Sequence, residues 1–458
     1  MKIKKFIAKK VYGYLDFDIN FNDDINFLVG GNGSGKTTAL KLINALLRPN
    51  FKDLILIPFD DCILIFENSK VRKDRDIAIS ANRTKDSLVL SCDEVKEILV
   101  IPIEFISKDL ENSISIEEKL KDFLEKVLLK NSENGVLKFL NRIESPIFLG
   151  LDRRIESLED EKSYFIEKVI SSYKQGYRLD RSYPKDFMNA SSNTSLMDIA
   201  ILVQNKYRNI RNRDDRQSKV LRDEILKSIF TYTKLDSSDS LIIDSHYIQE
   251  KQSLLNRKNE IREAIFNIVG EDSKIARQLD EFFYSITQFF QSFENEKVKE
   301  YAMIEWLLNK SQIERIASIV EIIDNHKSTV DKLYEPINNF LNTVNDFYKE
   351  SHKELSVDAV GHMTIKRPNG IKSSIDGLSS GEKQLLIIFA HVFINENPNK
   401  GKIFVIDEPE LSLHLRWQER FSETLFNLDS QNQFILATHS PEIVAGRKDK
   451  AVGCRKNG

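Results

Sequence analysis

The sequence predicts an α/β fold interrupted by a long helical insertion, and three observations predict it. Near both ends of the 458-residue chain, short apolar runs typical of buried strands alternate with segments of helical periodicity. Between residues 63 and 104, four short runs separated by polar turns predict a small antiparallel β lobe. From about residue 155 to residue 354 the chain is rich in charge, poor in glycine and helix-periodic. We therefore predict an α/β head formed by residues 1–155 and 355–458, with a helical insertion at 156–354.

Composition and charge exclude several classes of protein. Apolar residues make up 41 % of the chain, which is enough for a sizeable core. The net charge is −3, whereas proteins that act on nucleic acid usually carry a strong positive balance, so contact with DNA would require a local basic patch. The sequence contains no apolar run of about 18 residues, and its three scattered cysteines fit a reducing compartment. We expect a cytoplasmic protein with no membrane partner.

The head begins with strands and a helix. Period-2 alternation on either side of Gly13 predicts two short strands, and the compact apolar run Ile25–Val29 predicts a buried third strand. Beyond a glycine-rich stretch, apolar residues at helical spacing from Ala39 to Leu47 predict a helix that Pro49 closes. Further strands are predicted at 63–66, 77–79, 88–90, 98–103 and 146–151, with an amphipathic helix at 115–129.

The insertion and the second part of the head are predicted from similar patterns. Two apolar stripes in the insertion, at 313–323 and 330–344, predict packing of helix against helix. Pro336 interrupts the second stripe, and both stripes are too short for coiled-coil arms. In the second part of the head, strands are predicted at 357–364, 403–406 and, as the last strand, 434–437, with a helix after Gln384.

A phosphate-binding loop is the most specific motif in the chain. Residues Gly30 to Thr37 match the pattern G-x-x-x-x-G-K-[ST] between a predicted strand and a predicted helix. The glycines let backbone N–H groups surround phosphate oxygens, and the following helix directs its positive N-terminal end at the same anion. Lys36 is expected to reach the β- and γ-phosphates of a nucleotide, and Thr37 to bind Mg²⁺. The expected nucleotide-binding residues are Gly30, Asn32, Gly33, Ser34, Gly35, Lys36, Thr37 and Thr38.

Two adjacent carboxylates follow the apolar run at 403–406. Asp407 and Glu408 stand at the carboxyl end of that predicted strand, where open α/β sheets bind ligands. Because adjacent positions point to opposite sides, Asp407 can hold Mg²⁺ while Glu408 positions or deprotonates the attacking water. His439, just after the strand at 434–437, is expected to contact the γ-phosphate, although a lone histidine is more often structural.

A second anion-binding turn opens the helix that precedes these carboxylates. Ser379, Ser380 and Gly381, here named the serine turn, stand at a helix N-terminus, where backbone N–H groups favour an anion. A chain with one phosphate-binding loop has little need of another for the same nucleotide, so we expect the turn to contact a nucleotide held by a second copy. The alternative is an ordinary helix cap, with Ser379 or Ser380 capping and Glu382 in the first turn.

Together these motifs resemble ABC-type ATPases of the SMC, Rad50, RecF and OLD branch. The resemblance covers residues 1–155 and 355–458, and it rests on the phosphate-binding loop, Leu-Ser-Ser-Gly-Glu, Ile-Asp-Glu-Pro-Glu-Leu-Ser-Leu-His and Ala-Thr-His-Ser-Pro-Glu. It implies an ABC-type P-loop ATPase head with a small antiparallel β lobe and an inserted α-helical domain. It also implies that ATP and Mg²⁺ are bound between two copies, with Ser379 and Gly381 on the γ-phosphate in trans and Glu410 to His414 at the dimer seam. Turnover would then be weak in an isolated copy.

The whole layout is similar to stand-alone ATPase subunits of bacterial anti-phage systems, including the PARIS ATPase and the ATPases of Septu and retron systems. That similarity implies a homo-oligomer that responds to a phage protein and controls a separate effector. Only residues 440–458 follow the histidine, too few for a domain, so we expect a separately encoded nuclease of the TOPRIM or HNH kind. The alternative is a DNA-repair or DNA-end-binding ATPase of the Rad50 or RecF type. The slightly acidic charge and the absence of a Cys-x-x-Cys hook favour the first interpretation.

Two positions depart from the family pattern. Relatives usually carry a glutamine at the end of a strand before the insertion, but no Gln occurs between residues 36 and 174. Asp152, Arg153 or Arg154 stands at the expected place. Tyr12 stands where relatives often have Arg near the adenine, and both a stacking role and a place in the strand core fit it.

A basic cluster lies within the insertion. A solvated helix face explains it better than contact with nucleic acid or with an acidic partner, and two acidic residues, Asp214 and Asp215, dilute it. The basic members of the cluster are Lys206, Arg208, Arg211, Arg213, Arg216, Lys219 and Arg222.

Overall fold

The computed structural model describes eleven segments of the chain. They are residues 1–48, 51–68, 76–103, 115–150, 191–229, 253–269, 273–293, 299–394, 401–428, 431–444 and 446–454. The chain divides into two compact units, the first formed by Met1–Gln204 with Asn339–Gly458 and the second by Asn205–Asn338. The predicted boundary at residues 155 and 156 lies outside the described residues, as do Asp152, Arg153 and Arg154. The three-part division of the chain stays a prediction.

Strands and helices alternate in the first unit, whereas the described elements of the second unit are helical. The described strands are β1 (Lys2–Val11), β2 (Leu15–Asn20), β3 (Ile25–Val29), β4 (Asp61–Glu67), β5 (Asp76–Arg83), β6 (Ser87–Cys92), β7 (Val95–Pro102), β8 (Ile147–Leu149), β9 (Glu354–Val357), β10 (Met363–Lys366), β11 (Lys372–Ser373), β12 (Ile403–Asp407), β13 (Gln433–Thr438) and β14 (Ala451–Gly453). The described α-helices are α1 (Lys36–Leu46), α2 (Lys52–Leu56), α3 (Ser115–Lys130), α4 (Gly135–Arg142), α5 (Ser191–Ile229), α6 (Lys258–Val269), α7 (Ser273–Phe293), α8 (Lys299–Tyr348), α9 (Ser380–Ile394), α10 (Leu415–Asn427) and α11 (Pro441–Val444). The predicted α/β class and helical insertion are confirmed.

An antiparallel sheet forms the β lobe. Its six strands run in the order β2-β1-β4-β5-β6-β7. The predicted lobe is therefore continuous with the N-terminal strands, because β4 pairs with β1 and places Ile63 opposite Ile7. Along β4 every second side chain, at Cys62, Leu64 and Phe66, is buried, so one face of this sheet lies on the core.

A parallel sheet carries the segments of functional interest. Its five strands run in the order β14-β3-β13-β12-β8, and β12 and β13 are buried along their whole length. Thr438 at the end of β13 lies opposite Val29 at the end of β3, and Asp407 lies opposite Ala437. The three carboxyl ends therefore meet at one edge. The prediction that 434–437 is the last strand is wrong, because the three-residue β14, too short for a strand pattern, adds itself beside β3.

The predicted strand at 357–364 is broken by a side-chain turn. Strand β9 ends at Val357 and β10 starts at Met363, and both belong to a small sheet of order β11-β10-β9. Between them the Asp358 carboxylate accepts hydrogen bonds from the N–H groups of Val360 (3.0 Å) and His362 (2.8 Å). An aspartate whose side chain accepts hydrogen bonds from the backbone a few residues later favours a turn over an extended strand. This turn prevails over the apolar–polar alternation from which a single strand was predicted.

Helix α8 continues through a proline that was predicted to interrupt it. It spans 50 residues, with Pro336 inside, and so contains both predicted apolar stripes in one helix. Helix α5 spans 39 residues. A proline inside a helix removes one backbone hydrogen bond and costs about 3 kcal/mol. The turns that follow bury Ile337 and Phe340 almost completely, and this burial offsets the cost.

The second unit has small apolar clusters of its own. Leu221 and Ile225 of α5 pack on Ile319 of α8, and other buried contacts join α6, α7 and α8 through Ile261, Phe283 and Val320. The predicted packing of helix on helix is confirmed for the stripe at 313–323. No helix in the described part of the chain combines the length and apolar character that crossing a bilayer would require.

Candidate functional site

The phosphate-binding loop joins β3 to α1. Residues 30–33 are exposed at the edge where the parallel strands end. Gly33 and Gly35 adopt left-handed backbone angles, with φ of 75° and 87°, which favour glycine. At Gly35 a Cβ atom would lie 2.8 Å from Cζ of Phe17, so a larger residue there would force the buried Phe17 ring of β2 to shift. The loop is therefore fixed by both conformation and packing.

Lys36 lies beneath this loop and is only 5 % exposed. Its Nζ donates a hydrogen bond to the Gly30 carbonyl oxygen at 2.8 Å and lies 2.6 Å from Nε2 of His439. Burial lowers the pKa of Lys36, although the nearby carboxylates of Glu408 and Asp407 act in the opposite direction. The structure thus brings together the loop lysine and the histidine, which are far apart in the sequence.

Thr37 and Asp407 form a pair of oxygen donors next to Lys36. The Thr37 hydroxyl donates to Oδ2 of Asp407 at 2.8 Å, and Asp407 is 1 % exposed at the end of β12. Hydroxyl and carboxylate oxygens are the ligands that Mg²⁺ prefers. The two residues expected to bind Mg²⁺ are therefore adjacent and chemically suited to it.

Glu408 directly follows β12 and has an unusual backbone. Its φ is 45°, a left-handed value that is uncommon for a residue other than glycine. Its N–H still donates to the Ala437 carbonyl at 2.8 Å, so the residue is held against β13 while the chain turns away from the sheet. Strained backbone of this kind often occurs at functional sites.

Glu410 connects the segment after β12 to the end of β13. Its Oε1 accepts a hydrogen bond from the His439 N–H at 2.6 Å. The family resemblance named Glu410 only as a seam residue, and its role in holding His439 was missed. No sequence pattern could show this role, because the two residues are 29 positions apart.

The serine turn forms a capping box. The Glu382 N–H donates to the Ser379 hydroxyl at 3.3 Å, and the Ser379 N–H donates to Oε2 of Glu382 at 2.7 Å. Ser379 and Ser380 are nevertheless exposed, whereas Gly381 is buried. A Cβ atom at Gly381 would lie 2.5 Å from the Ser412 carbonyl oxygen, so the turn rests on the segment that follows Glu408. Capping thus accounts for Ser379, whereas the Ser380 side chain makes no hydrogen bond with any residue that the structure describes.

Glu382 also ties the serine turn to the end of α8. Its side chain is 3 % exposed and lies 2.8 Å from Nζ of Lys353, and Oε1 accepts from the Ser351 hydroxyl at 2.8 Å. Burial alone would raise the pKa of Glu382, but the hydrogen bonds from Lys353, Ser379 and Ser351 outweigh it, so the pKa lies below its ordinary value. The stabilisation is therefore present at neutral pH and is lost as the pH falls through this lowered pKa.

Replacing Lys353 with Ala should lower the free energy of unfolding by about 3 kcal/mol, because it leaves the buried Glu382 carboxylate without its cation. Urea titration at neutral pH measures this loss. The matched control is Lys349→Ala, since Lys349 pairs with Asp346 on the exposed surface and such pairs contribute at most about 1 kcal/mol. Equal losses in the two variants would contradict the proposed importance of the buried pair.

Tyr12 lies in the turn between β1 and β2. It is 49 % exposed and has a left-handed φ of 53°, and its N–H donates to the Pro58 carbonyl at 2.8 Å. A place in the strand core is therefore wrong for Tyr12, and the stacking role stays a prediction.

Comparison with curated proteins gives several relatives. The chain is 31 % identical over 162 residues to the "Retron Vc95 probable ATPase" of Vibrio cholerae serotype O1 biovar El Tor, a match that covers 30 % of this chain and 32 % of the relative. It is 27 % identical over 157 residues to the "Retron Ec83 probable ATPase" of Escherichia coli, covering 30 % and 29 %. It is 26 % identical over 142 residues to the "Endonuclease GajA" of Bacillus cereus (strain VD045), covering 27 % and 25 %. The chain thus spans less than a third of the length of these relatives, and the predicted resemblance to retron ATPases is confirmed.

Solved structures of SMC heads are also similar, at low scores. One is the crystal structure of the Smc head domain with an extended coiled coil, bound to the C-terminal domain of ScpA and derived from Pyrococcus furiosus. It aligns with a TM-score of 0.39 at 12 % identity, covering 99 % of this chain and 95 % of that one. A TM-score this low does not by itself establish a common fold.

The family comparison covers nearly the whole chain. The AAA ATPase domain family, AAA_15, matches residues 1–444 of the 458. The match includes the phosphate-binding loop, Asp407, Glu408 and His439, the residues gathered at the edge of the parallel sheet. The chain therefore belongs to the AAA ATPase domain family.

Proposed function

We propose that this ATPase hydrolyses Mg-ATP at composite sites shared by two copies of the chain, and that the paired form controls a separate effector in anti-phage defence. The proposal of a composite site rests on one observation: the chain presents its candidate nucleotide-binding groups in two separate places. Two pairs of these side chains meet at one edge of the sheet: Nζ of Lys36 lies 2.6 Å from Nε2 of His439, and the Thr37 hydroxyl lies 2.8 Å from Oδ2 of Asp407. The serine turn instead exposes Ser380 at the start of its own helix.

Within one copy, each side chain of the edge has a distinct role. Lys36, now bonded to the Gly30 carbonyl, would bind the β- and γ-phosphate oxygens and stabilise the charge that develops on them. Thr37 and Asp407 would hold Mg²⁺, which neutralises phosphate charge when bound. Glu408 would orient the attacking water or remove its proton, and His439 would contact the γ-phosphate.

The second copy would complete the site. The backbone N–H groups at the start of α9 form an anion-binding end, and the adjacent Ser380 is exposed with no cap to make. In a two-fold pair, the same surface patch on each copy faces the other, so one contact would complete two sites. This arrangement explains why an isolated copy would turn over slowly.

Mixing two inactive variants tests the composite site. Lys36→Ala removes the phosphate-binding lysine, and Ser380→Arg places a bulky cation on the exposed serine while it leaves the Ser379 cap in place. A mixed dimer has one site with both defects and one site with neither. Half of the dimers in an equimolar mixture are mixed, so the mixture should recover up to about a quarter of the wild-type rate, the value for two sites that hydrolyse without coupling. Phosphate release from each variant alone, and from the equimolar mixture, measures this recovery.

The control is a mixture of two variants that both carry their defect in the phosphate-binding loop. Lys36→Ala mixed with a second inactive phosphate-loop variant, Thr37→Ala, should recover nothing, because both defects then lie in the same half of each site. A mixture of Lys36→Ala and Ser380→Arg that stays inactive, although the two copies associate, would contradict a shared site.

The role in defence is supported by the relatives. Two of the proteins that match this chain are named as retron ATPases, and a third is named as an endonuclease. By analogy, the paired ATPase would hold or release a nuclease, of TOPRIM or HNH type, in response to a phage protein. Nucleotide binding would then be required for protection as well as for turnover.

A further inference from the structure

One face of helix α5 is strongly basic in the structure. The basic face is defined by Arg208, Arg211, Arg216, Lys219 and Arg222, all of which are exposed. At 100° per residue these five positions fall within an arc of about 140°, and at 1.5 Å per residue they extend over about 21 Å. Residues 206–222 hold seven basic and two acidic side chains, although the whole chain has a net charge of −3. This stretch of α5 therefore carries an excess of positive charge that the chain as a whole does not.

The cations of the basic face have few partners among the described residues, the exception being Arg211, which hydrogen-bonds with Tyr334 and is stabilised by the nearby Asp215 carboxylate. Within the described residues, none of the five forms an ion pair, although Asp215 and Asp223 stand four positions to either side of Lys219. Elsewhere in the same unit, by contrast, several half-buried cations are paired. Examples are Arg257 with Glu260 and Asp324, Lys258 and Arg262 with Asp280, and Lys310 with Glu314.

One of the diluting acids is turned away from the basic face. Asp214 is half-buried and accepts a hydrogen bond from the Tyr334 hydroxyl of α8 at 3.0 Å. This contact places Asp214 on the packed side of α5, together with the buried Leu221. In the sequence Asp214 lowers the net charge of the basic cluster, but in the structure it is half-buried and lies outside the basic face.

We infer that the basic face binds the phosphate backbone of duplex DNA without regard to base sequence. Four of the five cations are arginines, whose planar groups make paired hydrogen bonds with phosphate oxygens. Between Arg208 and Asp223 the arc holds only Arg, Lys, Asn and Asp side chains. It therefore lacks the apolar core of a protein interface and the aromatic side chains on which single strands stack. The inference does not depend on the proposed function of the ATP site.

Salt-dependent binding measures the number of phosphates contacted. The full chain is titrated into a labelled, random-sequence duplex of about 20 base pairs, and fluorescence anisotropy is followed from about 50 mM salt upward. The variant Arg208→Gln, Arg216→Gln, Arg222→Gln removes three cations from the basic face. We expect the slope of log affinity against log salt to become shallower by about 3, with at least a roughly tenfold weaker affinity at low salt.

Two control variants accompany the test. Arg277→Gln, Lys327→Gln, Lys332→Gln removes the same charge from exposed positions of the same unit that are not on the basic face, and its slope should equal that of the wild type. The variant Arg208→Lys, Arg216→Lys, Arg222→Lys keeps the charge, and its slope should also be retained. Circular dichroism of each variant verifies that α5 remains helical.

Three results would overturn the inference. The first is no binding at about 50 mM salt. The second is an equal loss of slope in the two Gln variants, which would mean that only total charge matters. The third is displacement of the duplex by polyglutamate at lower charge concentration than by unlabelled DNA, which would identify an acidic polypeptide as the preferred partner.

Discussion

Replacing Glu408 with Gln should lower phosphate release by about 10²–10⁴-fold while ATP binding is preserved, because a general base typically contributes that much. Gln keeps the size of the side chain and can occupy the same left-handed backbone position, where φ is 45°. Only the ability to take a proton from water is lost. Single-turnover phosphate release and nucleotide binding, measured on the same preparation, separate the two effects.

The same variant should accumulate as an ATP-bound pair. Light scattering should show twice the mass of the single chain when ATP is present and a lower mean mass without it. Glu419→Gln, an equivalent change at an exposed position of α10, should behave as the wild type in both measurements. A mass of Glu408→Gln that does not change with ATP would contradict pairing through nucleotide.

Replacing Lys36 with Ala should abolish nucleotide binding and, with it, turnover and protection against phage. Loss of one preorganised charge at a reacting phosphate costs on the order of 10²–10³-fold in rate, before the loss of binding is added. The unfolding temperature without nucleotide should not fall, because the change removes a buried cation whose pKa burial lowers. ATP should no longer raise that temperature, because a ligand stabilises only the state that binds it.

Lys41 provides the control for this change. It lies on the same helix, α1, and Lys41→Ala should retain binding, turnover and protection. Fluorescent-nucleotide titration, phosphate release and plating of phage on cells that express the chain with its genomic neighbours test the three properties. Normal turnover in Lys36→Ala would mean that the phosphate-binding loop has been wrongly identified, whereas lost turnover with intact protection would contradict the role in defence alone.

The local parts of the site could be predicted from the sequence. The loop at 30–37 and the pair Asp407 and Glu408 are each formed by neighbouring residues, so the chemistry proposed for them is visible in a short pattern. The strands that carry them were visible for the same reason, because β3, β12 and β13 are continuous apolar runs.

The long-range parts could not be predicted. The contact between Lys36 and His439 joins residues 403 positions apart, and the pairing of Lys353 with Glu382 depends on where α8 ends. Helix α8 itself was missed as one element, because Pro336 is a strong local signal for a break and the compensating burial of Phe340 is tertiary. Local sequence patterns therefore failed where the free energy of tertiary packing outweighed a local conformational preference.

The close approach of Gly381 to the Ser412 carbonyl has a mechanical consequence. The turn that would contact a neighbour's nucleotide rests directly on the segment that follows Glu408, with no room between them for even a methyl group. When two copies pair as proposed, a movement of the protein at one nucleotide site would be transmitted through this contact to the other site. The two nucleotide sites would therefore be coupled, and hydrolysis by the pair would be cooperative.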